Sequence, residues 1–297
     1  MTKAEAGRKT ILAAADKVAI VAGSGRLPVN VAESLALAGH VPFIVRIAGE
    51  TDAGTSLETY PGSTLAVEQF AGLLPMLKRH GITHVVLAGG VSRRPVWRAI
   101  RPSLSLLSIL PRAIRALRRG DDGLLRILVD LIEDKGIKVV GAHQVVPELL
   151  AVEGRMGAHA PLAADWDDLN AGLEAARAIG ALDIGQAAVA VGGRAIALEG
   201  IEGTDLLLER VRDLRDNGRI AGRKRGVLVK CAKPGQELRA DLPTIGPATV
   251  DAAHAAGLAG IGVEAGRSLV LDFGELVERA DRLGLFVVGL TGKETDR

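Results

Sequence analysis

The sequence predicts an α/β fold of two domains, and three observations predict it. The chain has 297 residues, more than a single hydrophobic core usually organises. Apolar residues make up 48% of it but aromatics only 2%, so its cores are built from Ala, Val, Leu and Ile, which suits sheets covered by closely packed helices. Short apolar runs of strand length alternate with segments of helical period. Strands that are apolar throughout predict a parallel sheet covered on both faces.

Val18–Ala22 is the first apolar run, bounded by Gly23-Ser24-Gly25 and followed by a helical pattern through Val29, Val31, Leu35 and Leu37 that ends at Gly39. That order reads as strand, glycine turn, helix. Val41–Ile47 predicts a second strand, Leu65–His80 an amphipathic helix, and His84–Ala88 a third strand ending in Gly89-Gly90. From Val91 to Gly120 the chain carries Arg93, Arg94, Arg98, Arg101, Arg112, Arg115, Arg118 and Arg119, and no Asp or Glu lies between Glu68 and Asp121. Pro102 and Pro111 break this basic run into short helices around SLSLLSIL. Asp121 and Asp122 read as N-caps of a helix over Gly123–Lys135, and Lys138–Gly141 as a strand leading into AHQVVPELL. Residues 1–150 thus predict a Rossmann-like, nucleotide-binding type of α/β domain.

Periodicity lapses over 151–164, which predicts a linker. The second α/β domain, 165–297, opens on a helix at about Trp166–Ile179. Strands are expected at Gln186–Val191, Arg194–Leu198, Gly226–Lys230, Gly260–Val263, Ser268–Leu271 and Leu285–Leu290, with helices at Asp205–Asp216, Pro247–Ala256 and Phe273–Leu283. The active site is expected in the cleft between the domains.

Composition excludes several function classes. With 37 Lys plus Arg against 35 Asp plus Glu, the net charge of +2 offers no global case for nucleic acid, and aromatic platforms for stacking bases are nearly absent. The single Cys231 excludes a disulfide framework and a multi-cysteine zinc site, and fits a reducing cytoplasm. A thiol mechanism through it would need a base, for which His254 is the nearby candidate. No window approaches the roughly 20 apolar residues that span a bilayer. The N-terminal segment reads as a polar extension and not as a signal peptide.

Four constellations carry candidate chemistry. Gly23-Ser24-Gly25-Arg26-Leu27-Pro28 sits at a strand end and opens a helix, where backbone N–H groups suit a phosphate oxygen; the bland alternative is a tight structural turn. It lacks the full dinucleotide fingerprint, because Pro28 replaces the third glycine and Val45-Arg46-Ile47 ends without an acid. Gly89-Gly90-Val91-Ser92-Arg93-Arg94 lies at the tip of the third strand, where open parallel sheets place ligands, and Arg94 suits a bidentate phosphate contact. Glu199, Glu202 and Asp205, with Thr204 among them, follow a predicted strand and suit either Mg²⁺ ligation or helix capping. The fourth, VKCAKPGQELRADLPTIGP, brings Lys230, Lys233 and Arg239 together with the carboxylate of Asp241. It ends in Thr244-Ile245-Gly246-Pro247, with Gly at an N-cap and Pro at the first helical position.

These motifs, together with AGSGRLP, AGGVSRRP, VVGAHQVVPELL, ALEGIEGTD and AGLAGIGVEAGRSLVLD, resemble the UDP-2,3-diacylglucosamine pyrophosphatase family of lipid A biosynthesis. The type meant is the one unrelated to the calcineurin-like metallophosphatases, and the similarity spans about Val18 to Gly289. The resemblance implies hydrolysis of UDP-2,3-diacylglucosamine to UMP and 2,3-diacylglucosamine 1-phosphate (lipid X), with Mg²⁺ or another divalent cation, in the cytoplasm at the inner membrane of a Gram-negative bacterium. It implies water attack on the phosphorus bearing the sugar, with Asp241 as the essential aspartate, acting as base or as metal ligand beside Glu199, Glu202 and Asp205. Lys230, Lys233 and Arg239 then stabilise the phosphoryl charge. The substrate-binding set is Gly23, Ser24, Gly25, Leu27, Pro28, Gly89, Gly90, Arg94, Asp122, Thr204, Thr244, Ile245 and Gly246. Glu237 and Leu238 depart from the family pattern and carry no assigned role. A peripheral contact with the inner membrane and a homodimer are compatible with this reading, and Ser103–Leu110 is the candidate acyl groove. The alternatives are an NAD-linked oxidoreductase and a non-catalytic nucleotide- or membrane-binding module.

Overall fold

A computed structural model describes residues 10–91, 121–220 and 225–291. The chain divides into two compact units, one of Met1–Glu148 with Glu237–Asp241, the other of Leu149–Gln236 with Leu242–Arg297.

In the first unit β1 (Val18–Ala22), β2 (Phe43–Ile47), β3 (Gly62–Leu65), β4 (His84–Ala88) and β5 (Lys138–Val139) form one sheet in the order β3-β2-β1-β4-β5. Every pairing in it is parallel. Strand alternation sends Ala19, Val21, Val45, Val85 and Leu87 to one face. There they share a core with Leu73 and Leu77 of α2 (Leu73–Arg79) and Val129 and Ile132 of α3 (Asp121–Glu133). α1 (Leu27–Leu37) follows β1, with a proline in its first turn where no N–H is missed. A short α4 (Ala142–Val145) follows β5; Gln144 folds its side chain back to accept from the Gly141 N–H at 2.8 Å. The direction of strand addition reverses between β1 and β4, which makes the carboxyl ends of these two strands the topological switch point.

The second unit holds a six-stranded sheet of β6 (Gly154–Arg155), β7 (Ala187–Ala190), β8 (Ala195–Leu198), β9 (Val227–Lys230), β11 (Gly260–Glu264) and β13 (Phe286–Leu290), in the order β6-β13-β11-β9-β7-β8. A separate parallel pair joins β10 (Thr244–Ile245) to β12 (Leu269–Val270). On one face, α5 (Ala163–Ala181) lays Leu169, Leu173 and Ala176 against Val227, Val229 and Val288. On the other, α6 (Gly203–Asp216), α7 (Pro247–Ala255) and α8 (Phe273–Leu283) bury Leu207, Leu208, Val250 and Leu276 against Leu228, Ile261, Val263 and Val287. Each fully buried leucine or isoleucine here contributes about 1.5–3 kcal/mol.

Several expectations are corrected. The segment read as a helix over Leu65–His80 is β3, a 3₁₀ stretch over Val67–Gly72, and only then α2. Asp121 and Asp122 do not precede their helix, since α3 begins at Asp121. The stretch read as a linker over 151–164 contains β6, paired antiparallel with β13, and buries Met156. The second sheet is mixed: β7 runs antiparallel to both β9 and β8. Burial of both faces made β7 and β9 apolar, and apolar runs do not encode direction. Arg93, Arg94 and the basic run with Ser103–Leu110 lie outside the described residues.

Candidate functional site

At the switch point of the first unit the two glycine turns are fastened to each other. Gly23 N–H donates to Ala88 O (2.8 Å), Ser24 N–H to Gly90 O (2.8 Å) and Gly90 N–H to Ser24 O (3.1 Å). The Ser24 hydroxyl also donates to Gly90 O (3.1 Å). The contact requires glycine. A Cβ on Gly23 would sit 2.8 Å from the Gly90 carbonyl carbon, and Gly89 has φ +87 with the Gly23 carbonyl carbon 2.9 Å from where its Cβ would be. Gly25 N–H donates to Asp52 Oδ2 (2.9 Å). The turn expected to cradle a phosphate therefore has the N–H groups of Gly23, Ser24 and Gly25 already engaged, one of them by a carboxylate that would repel a phosphate. Leu27 and Pro28 sit in the first turn of α1. Sequence reasoning missed Asp52, which reaches the turn from the loop after β2.

The segment Glu237–Asp241 belongs to this same unit. It is a hydrogen-bonded turn, with the Asp241 N–H donating to Glu237 O at 3.1 Å. Arg239 fixes it: its guanidinium grips both oxygens of Glu237 (2.8 and 2.9 Å) and reaches Glu133 Oε1 of α3 at 2.8 Å. Ala240 packs on the core of the first sheet. The Arg239 hydrogen bonds hold the Glu237 carboxyl below its ordinary value and push the Arg239 guanidinium up. Arg239, expected to face a phosphate, is thus bound to two carboxylates, with Glu237 its main partner. Asp241 itself is half-buried.

Because the folded-state pKa of Glu237 is depressed, its ionisation stabilises the fold above the ordinary value of 4.5 and this contribution is lost as pH falls through the folded value. The stability gap between the protein and Glu237→Gln is therefore expected to be full at neutral pH and to close on acidification below about pH 4.5. Urea midpoints measured from pH 7 down to pH 3 check it; a gap that widens in acid would contradict the assignment.

In the second unit, Lys230 ends β9 as a buried cation whose Nζ donates to Thr244 O at 3.0 Å. Lys233 pairs with Asp183 at 2.7 Å. Thr244 and Ile245 form β10, and Gly246 caps α7 ahead of Pro247, its N–H donating to Thr249 Oγ1 at 3.2 Å. Glu264, a buried carboxylate at the end of β11 that the sequence reading passed over, accepts from Arg177 and from the Ala232 N–H, both at 3.2 Å.

The Glu199–Glu202–Asp205 group does not form the expected metal cluster. Glu199 is buried and accepts from the Thr204 hydroxyl (2.6 Å) and the Gln186 N–H (2.7 Å), while Glu202 pairs with Arg210 at 3.0 Å. Asp205 lies in the first turn of α6, where the helix dipole favours an acid. Among the described residues no three His, Cys, Asp or Glu side chains gather as a metal site.

Burial, with Glu264 nearby, pushes the Cys231 thiol up to about 11, so it stays a protonated thiol near neutral pH and a poor nucleophile. Cys231→Ala is expected to keep turnover within about threefold. Loss of more than tenfold with an unchanged melting temperature would reinstate the thiol route.

A parallel unit with glycine turns at its switch point, carrying an anchored aspartate segment, and a second unit with Lys230 at the end of β9 define a two-unit α/β protein. The LpxI N-terminal domain family model matches residues 17–149 and the LpxI C-terminal domain model residues 152–288. The chain belongs to the LpxI family. It is 44% identical over 280 residues to the UDP-2,3-diacylglucosamine pyrophosphatase LpxI of Caulobacter vibrioides, a match covering 94% of this chain and 99% of that protein.

Proposed function

We propose that this chain hydrolyses the pyrophosphate bond of UDP-2,3-diacylglucosamine, releasing UMP and 2,3-diacylglucosamine 1-phosphate (lipid X) for lipid A biosynthesis. The observation that carries this reading is the likeness to a pyrophosphatase of that name over 94% of this chain and 99% of the relative, through both domains. Water adds to the phosphorus bearing the sugar, the anhydride P–O bond breaks, and UMP leaves with the bridging oxygen. Asp241 takes the proton from that water, at the end of a turn whose backbone is fixed before substrate arrives. Arg239 supports the reaction by holding the turn, and Lys230 meets anionic oxygens of the substrate.

Mg²⁺ is part of this reading as an ion carried chiefly by the diphosphate. Among the described residues no three ligand side chains gather, so Asp241 would hold the cation together with the oxygens of the diphosphate. When bound, the cation neutralises the charge that makes a diphosphate resist a nucleophile. Two acyl chains, at roughly 0.8 kcal/mol per buried methylene, call for apolar cover, so a peripheral contact with the cytoplasmic face of the inner membrane in a Gram-negative cell belongs to the same reading, as does a homodimer. No helix among the described residues is long and apolar enough to cross a membrane. The test is incubation with UDP-2,3-diacylglucosamine and Mg²⁺ in heavy-oxygen water, with mass analysis of both products. The label is expected in lipid X. Label in UMP would move the attack to the other phosphorus, and no UMP at all would overturn the activity.

A further inference from the structure

His143 is a histidine that the reaction as described does not use, and its ring lies against the same glycine, Gly141, as the backbone of the Arg239 segment. It lies in α4, directly beyond the carboxyl end of β5, next to the strand that carries Gly89 and Gly90. Its ring rests on the backbone of Gly141: a Cβ there would lie 2.6 Å from His143 Nδ1 and 3.2 Å from the Arg239 Cα. Gly141 is therefore the point at which the imidazole and the segment carrying Asp241 are both seated.

Nδ1 is buried without a hydrogen-bond partner among the described residues, although the residue as a whole is only half-buried. A buried N–H left unpaired is rarer than an under-satisfied acceptor, so an unpaired Nδ1 fits the tautomer that carries its proton on Nε2. Burial also holds the imidazole below its ordinary pKa, which keeps it neutral. A neutral ring fixed in one tautomer is a directional donor.

We propose that His143 is a further catalytic residue of this enzyme, presenting a neutral Nε2–H to an anionic oxygen of the substrate's diphosphate at the edge that carries Asp241. The proposal rests on the pyrophosphatase reading for its substrate.

Nitrogen-15 NMR of the full chain labelled at histidine tests it, the His143 signals being assigned by their loss in His143→Gln. The free protein is expected to show the Nε2–H tautomer, and UDP to move the Nε2 resonance while uridine, which has no phosphate, leaves it in place. In turnover, His143→Ala is expected to lose on the order of 10²-fold in kcat/KM, the scale for one preorganised donor. His143→Gln, whose amide N–H reaches the Nε2 position, should recover to within about tenfold, and His143→Asn should not. An Nδ1–H tautomer, a ring indifferent to UDP, or an alanine variant within about threefold of the parent would each overturn the proposal. The UDP titration reads the ring without turnover, so failure to release UMP counts against the activity and not against this contact.

Discussion

Asp241→Asn is expected to lower UMP release by about 10³-fold or more, within the range that a positioned general base supplies, while the melting temperature stays within about 2 °C, a shift of less than about 1 kcal/mol at this size. Asparagine keeps the shape of the side chain and can still accept hydrogen bonds, but it can neither take a proton from water nor bring negative charge to a cation. The segment keeps anchors of its own in this variant, in the Arg239 grip on Glu237 and Glu133 and in Ala240 on the sheet core. Retention of more than about a tenth of the activity would transfer the proton to another group.

Gly89→Ala is expected to produce the largest loss of stability, about 2–5 kcal/mol. A backbone at φ +87 costs an L-residue roughly 1–2 kcal/mol, and forcing a methyl into close-packed surroundings adds about 1–3 kcal/mol. Here the methyl would meet backbone and a proline ring, with the Gly23 carbonyl carbon at 2.9 Å and Pro28 Cγ at 3.0 Å, neither of which can swing away as a flexible side chain would. Gly54→Ala separates the two contributions: it has φ +71 with nothing within 4 Å of the added carbon, so only the strain of about 1–2 kcal/mol remains. Thermal melts of both variants check the difference. Equal losses would mean that the two glycine turns yield to each other more readily than their hydrogen bonds imply.

What could be read from the sequence follows from how each element earns its residues. β1, β4, β9 and β13 are buried on both faces, so their runs of Val, Ile, Leu and Ala announce them. β3, as Gly-Ser-Thr-Leu, and β6, as Gly-Arg, lie at sheet edges and are held by backbone pairing, which leaves no apolar signature. α7 was legible from Gly246-Pro247 because its start is a local matter of backbone geometry. The partners of the candidate cations were not. Lys233 meets Asp183 and Arg239 meets Glu133 across 50 and 106 residues of sequence, and only the fold makes them neighbours. Lys233 and Arg239, read as open to a phosphate, are both tied to carboxylates. His143 carries no motif of its own, and only the fold sets its ring and the Arg239 backbone on the same glycine, Gly141.

The chain leaves the first unit at Glu148, returns to it for Glu237–Asp241, and leaves again. No single cut can therefore part this protein into two self-sufficient halves. A fragment ending near residue 148 would lack the turn that Glu133 ties down, and its complement would carry that turn with nothing to hold it. Two separately expressed pieces broken anywhere between 149 and 236 should regain activity only by reassembling, and an inherited split of the gene would have to do the same.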